Sequence, residues 1–370
     1  MFTKNTIFVT MTHRFGGVVA REQTVFSELT VAKAIGNCDI SSIKNVDTDS
    51  IRKYRTESTK RKTSDPQSEL ELIKAGMKIR DWLINEKKLS DIKVIWTGME
   101  TGLDHGPVAR DLLIDNTDIR ISVKENAQLF QNPSPVKVFD KWSRGLFDRS
   151  RDGDWFLTVA SKELNDYYQA CGGQNLTGQK TVEDYYENVT GTDSSGKKRR
   201  KKLTNHVKNL HDQNDSEALQ AYKKLCIKVS EASANIFNNN LEKTFPTIKT
   251  GNFKAEDFIQ LFSFFFKLGE NEHILCGTED NSGFAVLIHD LVNWEKKFSI
   301  TNIKAKPLDA GQPEVLITFS FLDKTSNTNF DYSIQCQVRW SHGKFCGNPE
   351  SKLYRYNSWS YTNLAWAVQI

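Results

Sequence analysis

The stretch from Gly106 to Asn126, GPVARDLLIDNTDIRISVKEN, constrains the fold more than any other. Two short apolar runs, Leu112-Leu113-Ile114 and Ile119-Arg120-Ile121-Ser122-Val123, flank the polar segment Asp115-Asn116-Thr117-Asp118. Asp, Asn and Thr are residues that a tight reversal prefers, so the pattern predicts a β-hairpin. Asp111 then stands at the start of its first strand and Lys124 at the end of its second. In a strand, alternate side chains point to opposite faces. Ile119, Ile121 and Val123 are thereby assigned to a core, and Arg120, Ser122 and Lys124 to a cleft beside Asp111. A carboxylate and an ammonium on neighbouring strand ends, backed by a rigid sheet, can hold a metal and place a water.

Asp111 together with Ser122-Val123-Lys124 resembles the active-site hairpin of the PD-(D/E)xK nucleases, the restriction-endonuclease-like superfamily. There an Asp opens one strand, and an acidic or polar residue, any residue, then Lys close the next. Ala109-Arg110 departs from the residues, often including Pro, that precede the Asp, and Ser122 stands in place of the usual acid. The wording Ile121-Ser122-Val123-Lys124, with Asn126 following, resembles HaeIII-type restriction enzymes. The resemblance covers about Asp65 to Ala160 and implies an α/β fold with an αβββαβ core; the pattern of the later segments adds a helical insertion and a β-rich C-terminal subdomain. It implies Mg²⁺ held by Asp111, the Val123 backbone carbonyl and a helix Glu. Lys124 would orient the attacking water, and Ser122 would hydrogen-bond a water at the metal. The implied activity is type II restriction: sequence-specific hydrolysis of double-stranded DNA that leaves 5′-phosphates. The implied partners are a second copy of the chain and a cognate DNA methyltransferase.

The flanking segments supply the remaining parts. Asp65 to Lys88 reads as a helix, with Asp65 as cap and Pro66 in the first turn. Leu70, Ile73, Met77, Arg80 and Ile84 lie on one face of it, joined by Leu83. Glu69 and Glu71 fall in its first turns. Either can be the helix Glu at the metal, and both also suit the helix dipole. An earlier helix, Arg21 to Ile35, places Val25, Leu29, Ala32 and Ile35 on one face and holds Glu28 as a reserve acid. Between them, Cys38 to Thr63 reads as a polar loop or linker with a basic end. Ile92 to Trp96 is the next strand, and the Gly-rich loop after it carries Glu100, Asp104 and His105. Trp155 to Ala160 reads as a core strand, the parallel strand of the αβββαβ core.

Cations and amides mark the expected DNA contacts. Asn126, Gln128, Gln131, Lys137 and Arg144 leave the active-site strand directly, and such side chains suit base edges and phosphates. Ser161 to Asn240 reads as mainly helical and contains six consecutive basic residues, Lys197 to Lys202. Lys197, Arg199 and Arg200 in this run are phosphate-contact candidates. Phe258 to Leu268 reads as buried, and Val286 to Val338 as several strands. Arg339, His342 and Lys344 follow in an aromatic, cationic turn. The segments group as 1–64, an N-terminal helix and basic linker; 65–160, the nuclease core; 161–250, a helical region; and 251–370, a β-rich DNA-recognition subdomain.

Composition narrows the class. The chain has 370 residues, 38% of them hydrophobic and 26% charged, with a net charge of +4. Its mean hydropathy is −0.53 and its pI near 8.5. These values fit a globular chain with material for a core. None of the six cysteines forms CxxC or a zinc-ligand set, so free thiols in a reducing cytoplasm are expected. No run is long enough to span a membrane, and the N-terminus lacks an export design. GxxxxGK[ST], GxSxG and HExxH are absent, which removes a phosphate-loop motor, a nucleophile-elbow hydrolase and a zincin. Two other readings stay open: a modification-dependent or repair nuclease on the same core, and a non-catalytic DNA-binding protein.

Overall fold

Val25, Phe26, Leu29, Ala32 and Ile35 recur at the helical period and are all buried, on helix α1 (Val18–Gly36). The computed structural model describes residues 18–97, 111–125, 133–140, 154–189, 194–244, 271–279, 282–347, 349–356 and 359–370, with the single positions Phe262, Phe265, Phe266 and Leu268. Side chains of residues 18–21, 189 and 194–200 are not among those described. Thr6 to Thr10, a short β-like run in the sequence, lies outside these residues. The fold is mixed α/β, with a mixed sheet and an antiparallel sheet. The chain divides into two units: residues 1–127, 272–288 and 367–370 form the first, and 128–271 and 289–366 the second. The segment 251–370 thus contributes to both.

In the first unit, α1 is followed by α2 (Thr48–Ser64) and α3 (Pro66–Asn85). The polar segment expected as a loop is therefore largely helix. Asp47 caps α2 by accepting from the Ser50 amide at 2.7 Å. Its buried stripe, Tyr54, Glu57, Ser58 and Arg61, has helical spacing but polar chemistry, so hydropathy does not reveal it. Asp65 and Pro66 start α3 as expected, with the Ser68 amide donating to Asp65 at 3.3 Å. The face that α3 buries is Leu72, Ala75, Gly76, Ile79 and Leu83, not the face of Leu70, Met77 and Ile84. Gly76 explains the choice. A Cβ there would lie 2.6 Å from Ala34 Cβ and 2.8 Å from the Val31 carbonyl, so only a bare backbone lets α3 cross α1 this closely.

Strands β1 (Val94–Trp96), β2 (Leu112–Ile114) and β3 (Arg120–Lys124) form an antiparallel meander, with Trp96 opposite Leu112 and Leu112 opposite Ile121. The β2–β3 hairpin forms where the pattern predicts it, but Ser122, which alternation assigns to the cleft face, is buried along with Ile121 and Val123. Asn116 takes φ 59° in its reversal, a conformation Asn tolerates. Next to β3 runs β4 (His273–Glu279), parallel to it, pairing Val123 with Cys276 and Lys124 with Gly277. Antiparallel β5 (Ser282–Ile288) and β10 (Ala367–Gln369) complete a six-stranded sheet. Leu29, Leu72, Ile79, Leu112, Ile121 and Ile274 are fully buried in the core formed by α1, α3 and this sheet. Each such side chain contributes about 1.5–3 kcal/mol.

The second unit begins with α4 (Pro135–Phe139) and α5 (Trp155–Ala170). Trp155 to Ala160 is thus the first part of a helix and not the parallel strand. Its apolar run continues at helical spacing into Leu164, Tyr167 and Tyr168, all buried, and that continuation decides the matter. Then come α6 (Gly173–Thr177), α7 (Val182–Val189), α8 (Ser194–Asp212) and α9 (Ser216–Thr244), in keeping with the helical reading of 161–240. After α10 (Leu291–Lys297), β6 (Phe298–Asp309), β7 (Pro313–Asp323), β8 (Thr328–Trp340) and β9 (Pro349–Tyr356) form a four-stranded antiparallel sheet. An aromatic cluster fills one side of this sheet. Phe266 and Phe321 lie 5.5 and 5.2 Å from the Trp366 ring.

Asp154 caps α5 by accepting from the Phe156 and Leu157 amides at 2.9 and 3.3 Å. Burial pushes its carboxyl up to about 6, against those two hydrogen bonds. A carboxyl raised in the folded state holds its proton more tightly there. Its contribution is therefore complete below its ordinary value near 4 and is lost as pH rises through about 6. Asp154→Asn keeps the acceptor without the charge. It should raise stability at pH 8 by on the order of 3 kcal/mol and leave it little changed at pH 4. Urea unfolding at both pH values measures this, and equal effects at the two would count against it.

No helix among the described residues is long and apolar enough to cross a membrane. All six cysteines are free thiols.

Candidate active site

Asp111 is held by the ladder on both sides. Its amide donates to the Ile121 carbonyl at 2.9 Å, and its carbonyl accepts from the Thr97 amide at 3.0 Å. Its carboxylate accepts from the Val123 amide at 2.7 Å and the Ser122 hydroxyl at 3.1 Å, both on Oδ2. Ser122 is buried. It therefore positions the Asp111 carboxylate, where the sequence reading gave it to a water at the metal. Lys124 ends β3 opposite Gly277 of β4. A Cβ at Gly277, whose φ is +150°, would lie 1.7 Å from the Lys124 carbonyl oxygen. Glycine at this position is what lets the parallel strand close on the strand end that carries Lys124.

Asp111, Val123 and Lys124 line a cleft of about 760 Å³, joined by two helix carboxylates, Glu28 of α1 and Glu57 of α2. Glu28 is buried and accepts from Trp96 Nε1 at 2.6 Å. Burial first, and the charge of Asp111 second, push its carboxyl up to about 8; the Trp96 hydrogen bond and Lys124 oppose the shift. Glu69 and Glu71 are not among the residues lining the cleft. Glu69 accepts from Ser58 at 3.5 Å and Glu71 from Gln67 at 3.1 Å. Of the three helix acids named from the sequence, Glu28, Glu69 and Glu71, Glu28 is the one that lines the cleft. The signal was present in the sequence, because Glu28 interrupts the apolar stripe of Val25, Leu29 and Ala32.

The wall of the cleft is a second cluster that sequence reasoning missed. The Arg61 guanidinium of α2 donates to Glu57 at 3.1 Å, to Ser68 at 2.8 Å and to both carboxylate oxygens of Glu125, one at 3.0 Å. Ser27 of α1 also donates to Glu125, and Arg61 lies 4.7 Å over the Phe26 ring. Glu125 directly follows Lys124, so the cluster ties α1, α2 and α3 to the end of β3. The i, i+4 pair of Glu57 and Arg61 is its one local sequence signature.

No family model, curated protein or solved structure matches the chain.

The cleft is lined by five carboxylates (Glu28, Glu57, Asp65, Asp111 and Glu125) against three cations (Lys60, Arg61 and Lys124). The Asp111 charge helps push up the Glu28 carboxyl, a repulsion that a cation between them would relieve. Magnesium takes oxygen ligands and is commonly held by one or two carboxylates, with waters and substrate phosphates filling the rest. Glu28, Asp111 and the strand end at Val123 fit that requirement. Among the described residues no three His, Cys, Asp or Glu side chains converge as a metal centre. A closed four-ligand zinc site is therefore not formed by these residues.

The expected DNA contacts divide three ways. Asn126, Gln128, Gln131 and Arg144 lie outside the described residues, as do Glu100, Asp104 and His105. Lys197, Arg199 and Arg200 belong to α8, whose backbone is described there but whose side chains are not. The remaining four are placed. Lys137 is half-buried on α4, and His342 is exposed. Arg339 pairs with Glu350 at 3.1 Å, and the Lys344 ammonium sits 4.5 Å over the Tyr222 ring. Burial lowers the Lys344 pKa. Arg339 and Lys344 thus already hold partners within the second unit.

Proposed function

We propose that this chain is a metal-dependent endodeoxyribonuclease of the PD-(D/E)xK type, acting as a type II restriction enzyme on double-stranded DNA. One observation carries the reading. Glu28, Asp111 and Lys124 meet in one cleft, at the end of an antiparallel three-stranded meander whose third strand pairs in parallel with a fourth. A meander followed by a strand parallel to its last member suits the αβββαβ core that the resemblance implies, and the three side chains suit its chemistry.

Glu28 and Asp111 would hold Mg²⁺, which when bound supplies Lewis-acid polarisation of the scissile phosphate and a more acidic water. Asp111 is kept in one rotamer by the Val123 amide and the Ser122 hydroxyl, so no reorganisation is needed on binding. Lys124 orients the attacking water and pairs with the charge that develops on the phosphate. Water adds to phosphorus as the bond to the 3′ oxygen breaks, leaving a 5′-phosphate and a 3′-hydroxyl. The cleft is net acidic, so the DNA backbone can approach only once its carboxylates are neutralised. The dimeric state and a protecting methyltransferase belong to the same proposal.

Digestion of unmethylated phage DNA with Mg²⁺ tests it, with the native protein beside Asp111→Ala and Lys124→Ala. The native protein should give discrete bands, and each variant should lose roughly 10²–10³-fold or more of the rate. Cutting of methylated DNA alone would point to modification-dependent restriction. Binding without cutting on either DNA would support a non-catalytic protein. Equal cutting by all three proteins would put the active site elsewhere.

A further inference from the structure

Helix α3 carries two apolar stripes. One is buried in the first unit through Leu72, Ala75, Ile79 and Leu83. The other stands open: Leu70, Met77 and Ile84 are 51%, 52% and 40% exposed. These three are half of the six large hydrophobic side chains exposed among the described residues. Their spacing of seven puts them in a line along the helix. Single exposed hydrophobics need no explanation, but an aligned row of them does. Half-buried Ile73 lies on one flank of the row. On the other flank stand Lys74 and Asp81, neither of which joins an ion pair among the described residues.

We propose that this row is the docking surface for a second copy of the chain, with the two α3 helices packed antiparallel about a two-fold axis at Met77. Leu70 of each copy then faces Ile84 of the other, and Met77 faces its counterpart. Lys74 of each copy faces Asp81 of the other, giving two ion pairs related by the axis. The surface is therefore complementary to itself, as a closed two-fold interface requires. A parallel pairing would instead set the Lys74 and Asp81 flank against the half-buried flank of Ile73 and Arg80, whose guanidinium is already engaged by the Ile35 carbonyl at 2.9 Å. The inference rests on this surface and not on the nuclease reading.

One helix pair covers less than the roughly 1,600 Å² of a standard interface, so association in the micromolar range is expected. Sedimentation velocity of the full chain without DNA, from about 1 to 100 µM, reads it directly. The native protein should pass from monomer to dimer over that range. Met77→Glu and Lys74→Glu should each weaken the dimer at least about tenfold, by burying a charge or setting like charges face to face. The double variant Lys74→Glu with Asp81→Lys swaps the pair and should restore the dimer. All three changes are at exposed positions away from the cleft, and circular dichroism confirms that each variant is folded. A native protein that stays monomeric at the top concentration overturns the proposal, and so does a dimer indifferent to Met77→Glu. A double variant as weak as Lys74→Glu alone overturns the antiparallel register.

Discussion

Glu28→Gln should lower DNA cleavage by roughly 10²–10³-fold while leaving duplex binding and the thermal midpoint near those of the native protein. The amide can still accept from Trp96 Nε1, so the 2.6 Å bond that seats the side chain need not be lost. What disappears is a carboxylate that is costly to keep charged, because it is buried and faces Asp111. Folding should therefore tolerate the change, and the loss should fall on the rate. The same substitution at Glu69 or Glu71 should leave cleavage almost intact, because neither residue lines the cleft. A larger loss at Glu69 or Glu71 than at Glu28 would return the acid to α3 and defeat the assignment.

Arg61→Met should cost about 3–5 kcal/mol of stability, read by urea unfolding. The methionine keeps the contact with Phe26 but removes every guanidinium hydrogen bond. Glu57, 2% exposed, then lies buried beside Glu125 with no guanidinium between them. Glu57 keeps only the largely exposed Lys60, at 3.1 Å, and stripping the guanidinium from a buried carboxylate is the expensive step, more than losing the ion pair itself. Adding Glu125→Gln to Arg61→Met should therefore recover part of the loss, as coupled neighbours do. Cleavage by Arg61→Met should also fall, because Glu125 adjoins Lys124 and the cluster fixes that strand end. A change below about 1 kcal/mol would show that the cluster is a surface feature with no hold on the cleft.

The hairpin was legible because its information is local. Alternation over five residues, a turn of Asp and Asn, and charges at the two strand ends all lie within Asp111 to Lys124. α1, the start of α3 and the helical run after Ser161 were legible for the same reason, through apolar periodicity and caps. α2 was not, because its buried stripe is Tyr54, Glu57, Ser58 and Arg61. A polar stripe is burial-compatible only when partners complete its hydrogen bonds, and Glu125 and Ser68 come from outside the helix.

By itself the sequence determined the β2–β3 hairpin, the presence of Asp111 and Lys124 at its ends, and the helices whose apolar or capping residues repeat locally. Tertiary structure alone decided three further things. It selected the buried stripe of α3, because Gly76 admits α1 on one side only. It chose β4 as the parallel neighbour of β3, with Gly277 meeting Lys124, where local reading had taken the apolar start of α5 for that strand. It brought Glu28 to Asp111, across the packing of α1 on the sheet. The physical reason is the same in each case. Hydropathy and turn chemistry report what each segment would bury, while the partner that buries it is set by backbone approach and desolvation between residues far apart in the chain.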